Sequence, residues 1–179
     1  MGSCKQLLPL DGTAAVVHCV ETLLKGGMVE PLVVVSPDGD AVVEAVAAYP
    51  VRVVRTMDPE GEMADSVRAG RDALPPDANG VMIALCDHPL VSPETVTRLA
   101  DTGRRDPDAI IIPVCDGRRG HPVVFPRRLL DGLNDGLTLR DLVHNAEELR
   151  FVPIDDQGVL LEMDTPDDYR RLAGICADR

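Results

Sequence analysis

The sequence predicts an α/β protein in three layers, a mostly parallel sheet with helices on both faces. Two observations carry this. Short apolar runs alternate with segments of helical periodicity along the whole chain, the pattern of strands that cross over to parallel neighbours. The longest of those runs also lack polar–apolar alternation, as expected of strands covered on both faces. At 179 residues the chain fits one domain, 1–179, with a well-buried core.

Each element follows from its local pattern. Val16, Val17, Val20, Leu23 and Leu24 have helical spacing, stopped by Gly26–Gly27. "PLVVVSPDG" reads as a buried strand from Leu32 to Val35 that ends in a turn. Val42, Val43 and Val46 mark a helix, "VRVV" from Val51 a strand, and Glu62 to Leu74 a helix closed by Pro75–Pro76. Val81 to Leu85 form the clearest strand, expected to be covered on both faces. Ser92–Pro93 is an N-cap with proline at the first helical position, opening a helix to about Ala100. Ala109–Val114 is a further buried strand, and "HPVVF" a shorter one behind a Gly/Arg loop. The last third predicts a helix near Leu139–Glu147, strands near Phe151–Ile154 and Val159–Met163, and a final helix after Thr165–Pro166.

Composition narrows the function. A formal net charge of −12 disfavours nucleic acid as a partner, since such binding needs a basic face. Local amides, a lysine or a cation can still hold a small anion against that field. No run approaches the roughly 18 consecutive apolar residues of a membrane span, and no secretory leader is legible. The five cysteines form no C-x-x-C pair, which argues against a zinc or redox motif and fits reduced thiols in a cytoplasmic protein.

In open α/β sheets ligands sit beyond the carboxyl ends of the strands. Asp87, Asp116 and Asp164 each follow an apolar run, so they are candidates to converge on one edge. Asp87 in "LCDHPL" leaves a buried strand and has a proline two residues on to turn the chain away. It is placed either to hold Mg²⁺, which takes one or two carboxylates with waters and phosphates, or to satisfy loop amides. Asp164 is a candidate second carboxylate; its neighbours Thr165, Pro166 and Asp168 are accounted for as N-cap, first-turn proline and capping-box acid. "DGRRGHPVVF" sets Arg118, Arg119 and His121 in a glycine-flanked loop open to close ligand approach. Cys86 reads as a small apolar filler.

Taken together, "MGSCKQLLPLDG", "GEMADSVRAG", "LCDHPLVSPETV", "PVCDGRRGHPVVFPRRL" and "LLEMDTPDDY" resemble the MobA-like nucleotidyltransferases, and among them the molybdenum cofactor cytidylyltransferases. The likeness is ordered along the chain from Met1 to about Leu172. It implies a Rossmann-like three-layer nucleotidyltransferase fold and transfer of CMP from CTP to the terminal phosphate of molybdopterin, with release of pyrophosphate. A molybdoenzyme or its maturation chaperone is then the implied recipient of the product. Met1, Gly2 and Lys5 match the final M-G-x-x-K of the family's L-A-A-G-x-S-x-R-M-G-x-x-K signature. The resemblance therefore implies nucleotide binding by Gly2 and Lys5, with Lys5 neutralising the leaving pyrophosphate. Asp87 matches the Mg²⁺-binding aspartate of G-D-Q-P, with Asp164 a candidate partner on the metal. Ser66 falls in the segment associated with the nucleotide base, and Gly120–His121–Pro122 match the G-H-P of the cytidylyl branch. Cys86 and His88 replace the family's Gly and Gln, which leaves His88 and His121 as candidate contacts to the acceptor.

Two alternatives stand beside this reading: a GTP-using or other phosphate-acceptor nucleotidyltransferase, and a catalytically inert nucleotide- or molybdopterin-binding module. Relative to the family, the first strand and the L-A-A-G-x-S-x-R half of the signature are missing ahead of Met1. Loss of that strand bares two edges inside the sheet and forfeits roughly 1.5–3 kcal/mol per buried side chain. The expectation is that Met1 is an interior methionine of a longer natural protein.

Overall fold

The computed structural model describes residues 4–59, 61–133 and 136–177; Met1 and Gly2 lie outside them. A 3₁₀ turn, Lys5–Leu7, leads into the hairpin β1 (Pro9–Leu10) and β2 (Thr13–Ala14). Its turn residues Asp11 and Gly12 have φ of 47° and 77°, the left-handed pair that Asp-Gly hairpins favour. There follow α1 (Ala15–Lys25), β3 (Leu32–Val35), α2 (Asp40–Val46), β4 (Arg52–Arg55) and α3 (Met63–Asp72). The middle of the chain holds β5 (Gly80–Ile83), α4 (Pro93–Arg105), β6 (Ile110–Cys115), β7 (Arg118–Arg119) and β8 (Val123–Pro126). Then come α5 (Arg127–Asp131), α6 (Leu139–Asn145), β9 (Leu149–Pro153), a 3₁₀ turn Gln157–Leu160 and α7 (Pro166–Ala177).

The three layers are visible in how single strands divide their side chains. In β6, Ile111 packs with Leu99 of α4, while Ile110 and Ile112 pack with Leu130, Leu139 and Leu142 of α5 and α6. In β8, Val124 joins the first group, and Val123 and Phe125 join the second. Period-two alternation thus feeds two apolar cores, one on each face of the sheet. A third core sets Val16, Val17 and Val20 of α1 against Val33 and Val35 of β3, with Val42 and Val46 of α2.

The α/β class holds, with differences in detail. β3 pairs β4 in parallel and β6 pairs β9 in parallel, but β8 lies antiparallel between β5 and β6. The return through the "RRGHPVVF" loop is a hairpin-type connection, which can only deliver an antiparallel strand. The strand expected at Val159–Met163 is instead the 3₁₀ turn Gln157–Leu160: Asp156 accepts the Gly158 N–H at 2.9 Å and starts the turn. Gly158 is required there, because a Cβ would stand 2.2 Å from the Leu90 carbonyl oxygen. α4 runs beyond Ala100 to Arg105 because Gly103 lets it continue close over Val124 of β8. Finally, β5 is half-buried rather than covered on both faces. The strands form separate sheets, β3–β4 and β5–β8–β6–β7 with β9 on β6, and a cleft of about 580 Å³ is lined by both β3 and β5.

At the start of α4, Ser92 Oγ accepts the Thr95 N–H at 3.2 Å, and Asp156 accepts both the Ser92 N–H and the Thr95 hydroxyl at 2.8 Å. Ser92→Ala is expected to cost about 1 kcal/mol, the typical value of an N-cap, read as a lower urea midpoint at unchanged slope.

Candidate active site

Lys5, Asp87 and Asp164 meet although they come from opposite ends of the chain. Lys5 sits on the first 3₁₀ turn, Asp87 in the loop after β5, and Asp164 just ahead of α7. The Met163 N–H donates to the Asp87 carbonyl at 2.9 Å, tying the two acid-bearing segments together. Met163 itself is buried with Leu10, Leu90 and Leu172, so the apolar core under α7 fixes where Asp164 stands. Thr165 and Asp168 form the reciprocal cap expected of them, at 2.9 and 3.1 Å, which leaves the Asp164 carboxylate for other work.

The Lys5 ammonium lies 2.7 Å from Asp164 Oδ1 and 3.8 Å from Asp87 Oδ2. The hydrogen bond to Asp164 raises the Lys5 pKa above the ordinary lysine value against partial desolvation, and the charges of Asp164, Asp87 and Glu162 add to the rise. Lys5 is therefore a cation throughout the neutral range. Asp87 Oδ1 is buried with no hydrogen-bond partner, an arrangement that a carboxylate tolerates poorly unless something positive comes to it.

These residues fit a small hard cation. Two carboxylates flank one position now held by an ammonium, and one carboxylate oxygen lacks a donor. Among the described residues no group of three or more His, Cys, Asp and Glu gathers at one point. Such a set suits an ion that takes one or two carboxylates and completes its shell with water and phosphate oxygens, and it does not suit a closed structural zinc site.

Behind Asp87 lie the two histidines. His88 is only 3% exposed, with Nε2 3.9 Å from Asp87 Oδ1 and 3.8 Å from Glu162 Oε1. Its ring stands 5.1 Å from that of His121, tilted by 43°, and Nδ1 of each ring is buried without a partner. His121 is set by its backbone: its N–H donates to the Val159 carbonyl at 3.0 Å and a cis bond joins it to Pro122. Gly120 admits this approach, since a Cβ there would come within 2.3 Å of Val159 O. Burial first, then the neighbouring His88, lowers the His121 pKa to about 4, with Asp87 opposing. His121 is a neutral ring at physiological pH.

The other expected residues lie apart from this cluster. Ser66, on α3, lines the cleft between β3 and β5. Asp116 occupies the tight β6–β7 turn at φ 49° and accepts from Gln157, so it serves the turn and does not join Asp87 and Asp164. Arg118 and Arg119 are exposed, Arg119 stacking 4.8 Å over the Phe151 ring. Cys86 is indeed filler beside the α1–β3 core, against Cys19: the hydrogen bond between the two thiols and burial push the Cys19 pKa well up. Two contributors were not foreseen. Glu162 faces His88, and Asp156 ties α4 to the turn against which His121 rests. Asp156 carried a usable signal, as an Asp-x-Gly preceding a tight turn.

The three-layer α/β frame is that of the nucleotidyltransferase fold: a nucleotidyl transferase from Methanothermobacter superposes on it with a TM-score of 0.82 at 25% identity, covering 97% of this chain and 85% of that one. Residues 1–150 match the MobA-like NTP transferase domain, and the chain belongs to that family. The 2-C-methyl-D-erythritol 4-phosphate cytidylyltransferase of Streptomyces coelicolor is 34% identical over 122 residues, 64% of this chain and 45% of the relative. Nicotine blue oxidoreductase of Paenarthrobacter nicotinovorans is 35% identical over 128 residues, 68% of this chain and 61% of the relative. The chain thus spans between 45% and 61% of the length of these curated relatives. Among solved structures, Rv0371c of Mycobacterium tuberculosis H37Rv superposes with a TM-score of 0.85 at 30% identity, covering 97% of this chain and 91% of that one. Its manganese complex superposes at 0.82, with 29% identity, covering 97% and 93%. No helix among the described residues is long and apolar enough to cross a membrane.

Proposed function

We propose that this chain is a nucleotidyltransferase domain that moves CMP from CTP to a phosphate-bearing acceptor, with the terminal phosphate of molybdopterin as that acceptor and Mg²⁺ as the metal. The observation that carries the reading is the Lys5 ammonium held between Asp87 and Asp164. An acceptor phosphate oxygen attacks the α-phosphorus of the triphosphate, the bond from that phosphorus to the bridging oxygen breaks, and pyrophosphate leaves with the electron pair. Such a transfer needs positioning and charge neutralisation more than a covalent catalyst. Lys5 supplies a fixed positive charge for the pyrophosphate. Asp87 and Asp164 would hold the metal, which when bound would supply neutralisation of phosphate charge. A relative solved with manganese supports a divalent ion in this role.

His88 and His121 are assigned to the acceptor side. The Nδ1 atoms of both rings lack partners, and the neutral His121 ring offers a hydrogen bond without adding charge beside Asp87. Ser66 is assigned to the base, in the cleft it lines with β3 and β5, and Gly2 to the triphosphate.

One observation favours a second acceptor. The cytidylyltransferase relative is named for 2-C-methyl-D-erythritol 4-phosphate, a phosphate monoester like the molybdopterin terminus. Pyrophosphate release should therefore be measured with Mg²⁺ for CTP and GTP in turn, against each of the two acceptors. Release with CTP and molybdopterin is the expected result. Release only with the methylerythritol phosphate moves the assignment to that acceptor, and no release with any pair leaves a binding module.

A further inference from the structure

The rings of His88 and His121 come together with their centroids 5.1 Å apart, yet neither Nδ1 has a partner among the described residues. His88 Nε2 stands 3.9 and 3.8 Å from the carboxylates of Asp87 and Glu162, beyond hydrogen-bonding reach. The placement of the pair therefore comes from the backbone segments that carry it. His88 rides on the loop between β5 and α4, which ends at Ser92, and His121 on the segment between β7 and β8. Asp156, just ahead of the Gln157–Leu160 turn, reaches both. Its Oδ2 accepts the Ser92 N–H and the Thr95 hydroxyl, each at 2.8 Å, and its Oδ1 accepts the Gly158 N–H at 2.9 Å. The Asp156 carbonyl accepts the Val159 N–H at 3.3 Å, and the Val159 carbonyl accepts the His121 N–H at 3.0 Å. One half-buried carboxylate thus joins the loop that carries His88 to the turn from which His121 hangs. Two close approaches keep that join short: a Cβ on Gly158 would stand 2.2 Å from the Leu90 carbonyl oxygen, and one on Gly120 2.3 Å from that of Val159. Asp116 also holds the turn, through Gln157, but both of those residues are exposed and water can take the place of either.

We propose that Asp156 is a positioning residue for the histidine pair, setting the gap between the two rings and so the shape that the acceptor meets. This rests on the assignment of His88 and His121 to the acceptor side. Loss of the carboxylate strips the Ser92 and Gly158 N–H groups of their acceptor, which is costly for groups held away from water, and frees the loop and the turn to move apart. A role confined to capping α4 has a different signature. Ser92→Ala removes the hydroxyl that accepts the Thr95 N–H but keeps the backbone N–H that Asp156 binds. It lowers stability with the join intact.

Nitrogen NMR of the histidine rings tests this without reference to activity. In the parent chain His121 titrates at about 4. Asp156→Ala is expected to raise that midpoint by about one pH unit or more, toward the ordinary value of about 6.5, because a ring released from its place gains solvent. Loss of the carboxylate charge on its own acts the other way, since removing an anion lowers the pKa of an imidazole, so the sign separates the two effects. His88 and Asp87, the titratable groups that act on His121, are the same in every variant. Ser92→Ala is expected to leave the midpoint where it is. Asp156→Asn, which keeps one acceptor oxygen, should raise it less, and carries the test where Asp156→Ala does not fold. An unchanged or lowered midpoint in the Asp156 variants overturns the proposal, and so does an equal rise in Ser92→Ala. In turnover, Asp156→Asn should raise KM for the acceptor severalfold and leave that for CTP as it was. A raised midpoint with both KM values unchanged upholds Asp156 as the residue that places the rings and removes the rings from the acceptor.

Discussion

Asp87→Asn is expected to lower pyrophosphate release by on the order of a thousandfold, the scale seen when one charge-stabilising group is removed from a transfer site, with no loss of folding stability. The two halves of this expectation have different origins. The backbone of Asp87 does the structural work, since its carbonyl accepts the Met163 N–H and is retained in asparagine. Its side chain carries a buried oxygen with no donor, a burden on the fold that a bound cation would relieve. Removing that charge gives up the 3.8 Å pairing with Lys5 and also the cost of the unpartnered oxygen, so the melting temperature should hold while turnover collapses. Functional sites often show this opposition between stability and activity. Asp164→Asn should do less, because its carboxylate is 54% exposed and water can replace part of what it offers. Turnover in Asp87→Asn equal to that of the parent chain, measured at saturating Mg²⁺, removes Asp87 from the metal.

How much of this could be read in the sequence depended on whether the signal was local. β3 was legible to the residue because four apolar residues stand between a proline and a Ser-Pro-Asp-Gly turn. The Thr165–Asp168 cap was legible because its spacing is its geometry. The pairing of Asp87 with Asp164 was legible one step removed, as two acids that each follow an apolar run. Asp116 shares that pattern and lies elsewhere, because a positive φ and a two-residue turn commit it to the β6–β7 hairpin. "LLEM" failed as a strand for a non-local reason. Gly158 must fit under the Leu90 carbonyl, and a close contact across 68 residues leaves no mark on local periodicity. β1 and β2 were missed despite an audible signal, the Asp11–Gly12 pair, since their strands are too short to show alternation. The burial of His88 was not legible at all, because a histidine after an aspartate reads the same whether it faces solvent or core.

The histidine pair leads to the other large effect, on stability. His121 has its pKa depressed to about 4 by burial and by His88, while in the unfolded chain it returns to about 6.5. Between those values the unfolded state binds a proton that the native state does not, so unfolding free energy rises with pH across that window. The contribution is fully present above about pH 6.5 and is lost as pH falls toward 4, on the order of 3 kcal/mol across the window. A proton on His121 is poorly compensated in the native state, because Nδ1 is buried without a partner and burial and the neighbouring His88 outweigh the help from Asp87. His121→Gln, which keeps a polar side chain and cannot titrate, should flatten the loss. Urea unfolding of both proteins at pH 7 and at pH 4.5 reads the difference directly, with the carboxylates common to both cancelling in the comparison. Parallel losses in the parent chain and the variant would show that His121 is charged or solvated in the native state, and would move the acid sensitivity to other groups.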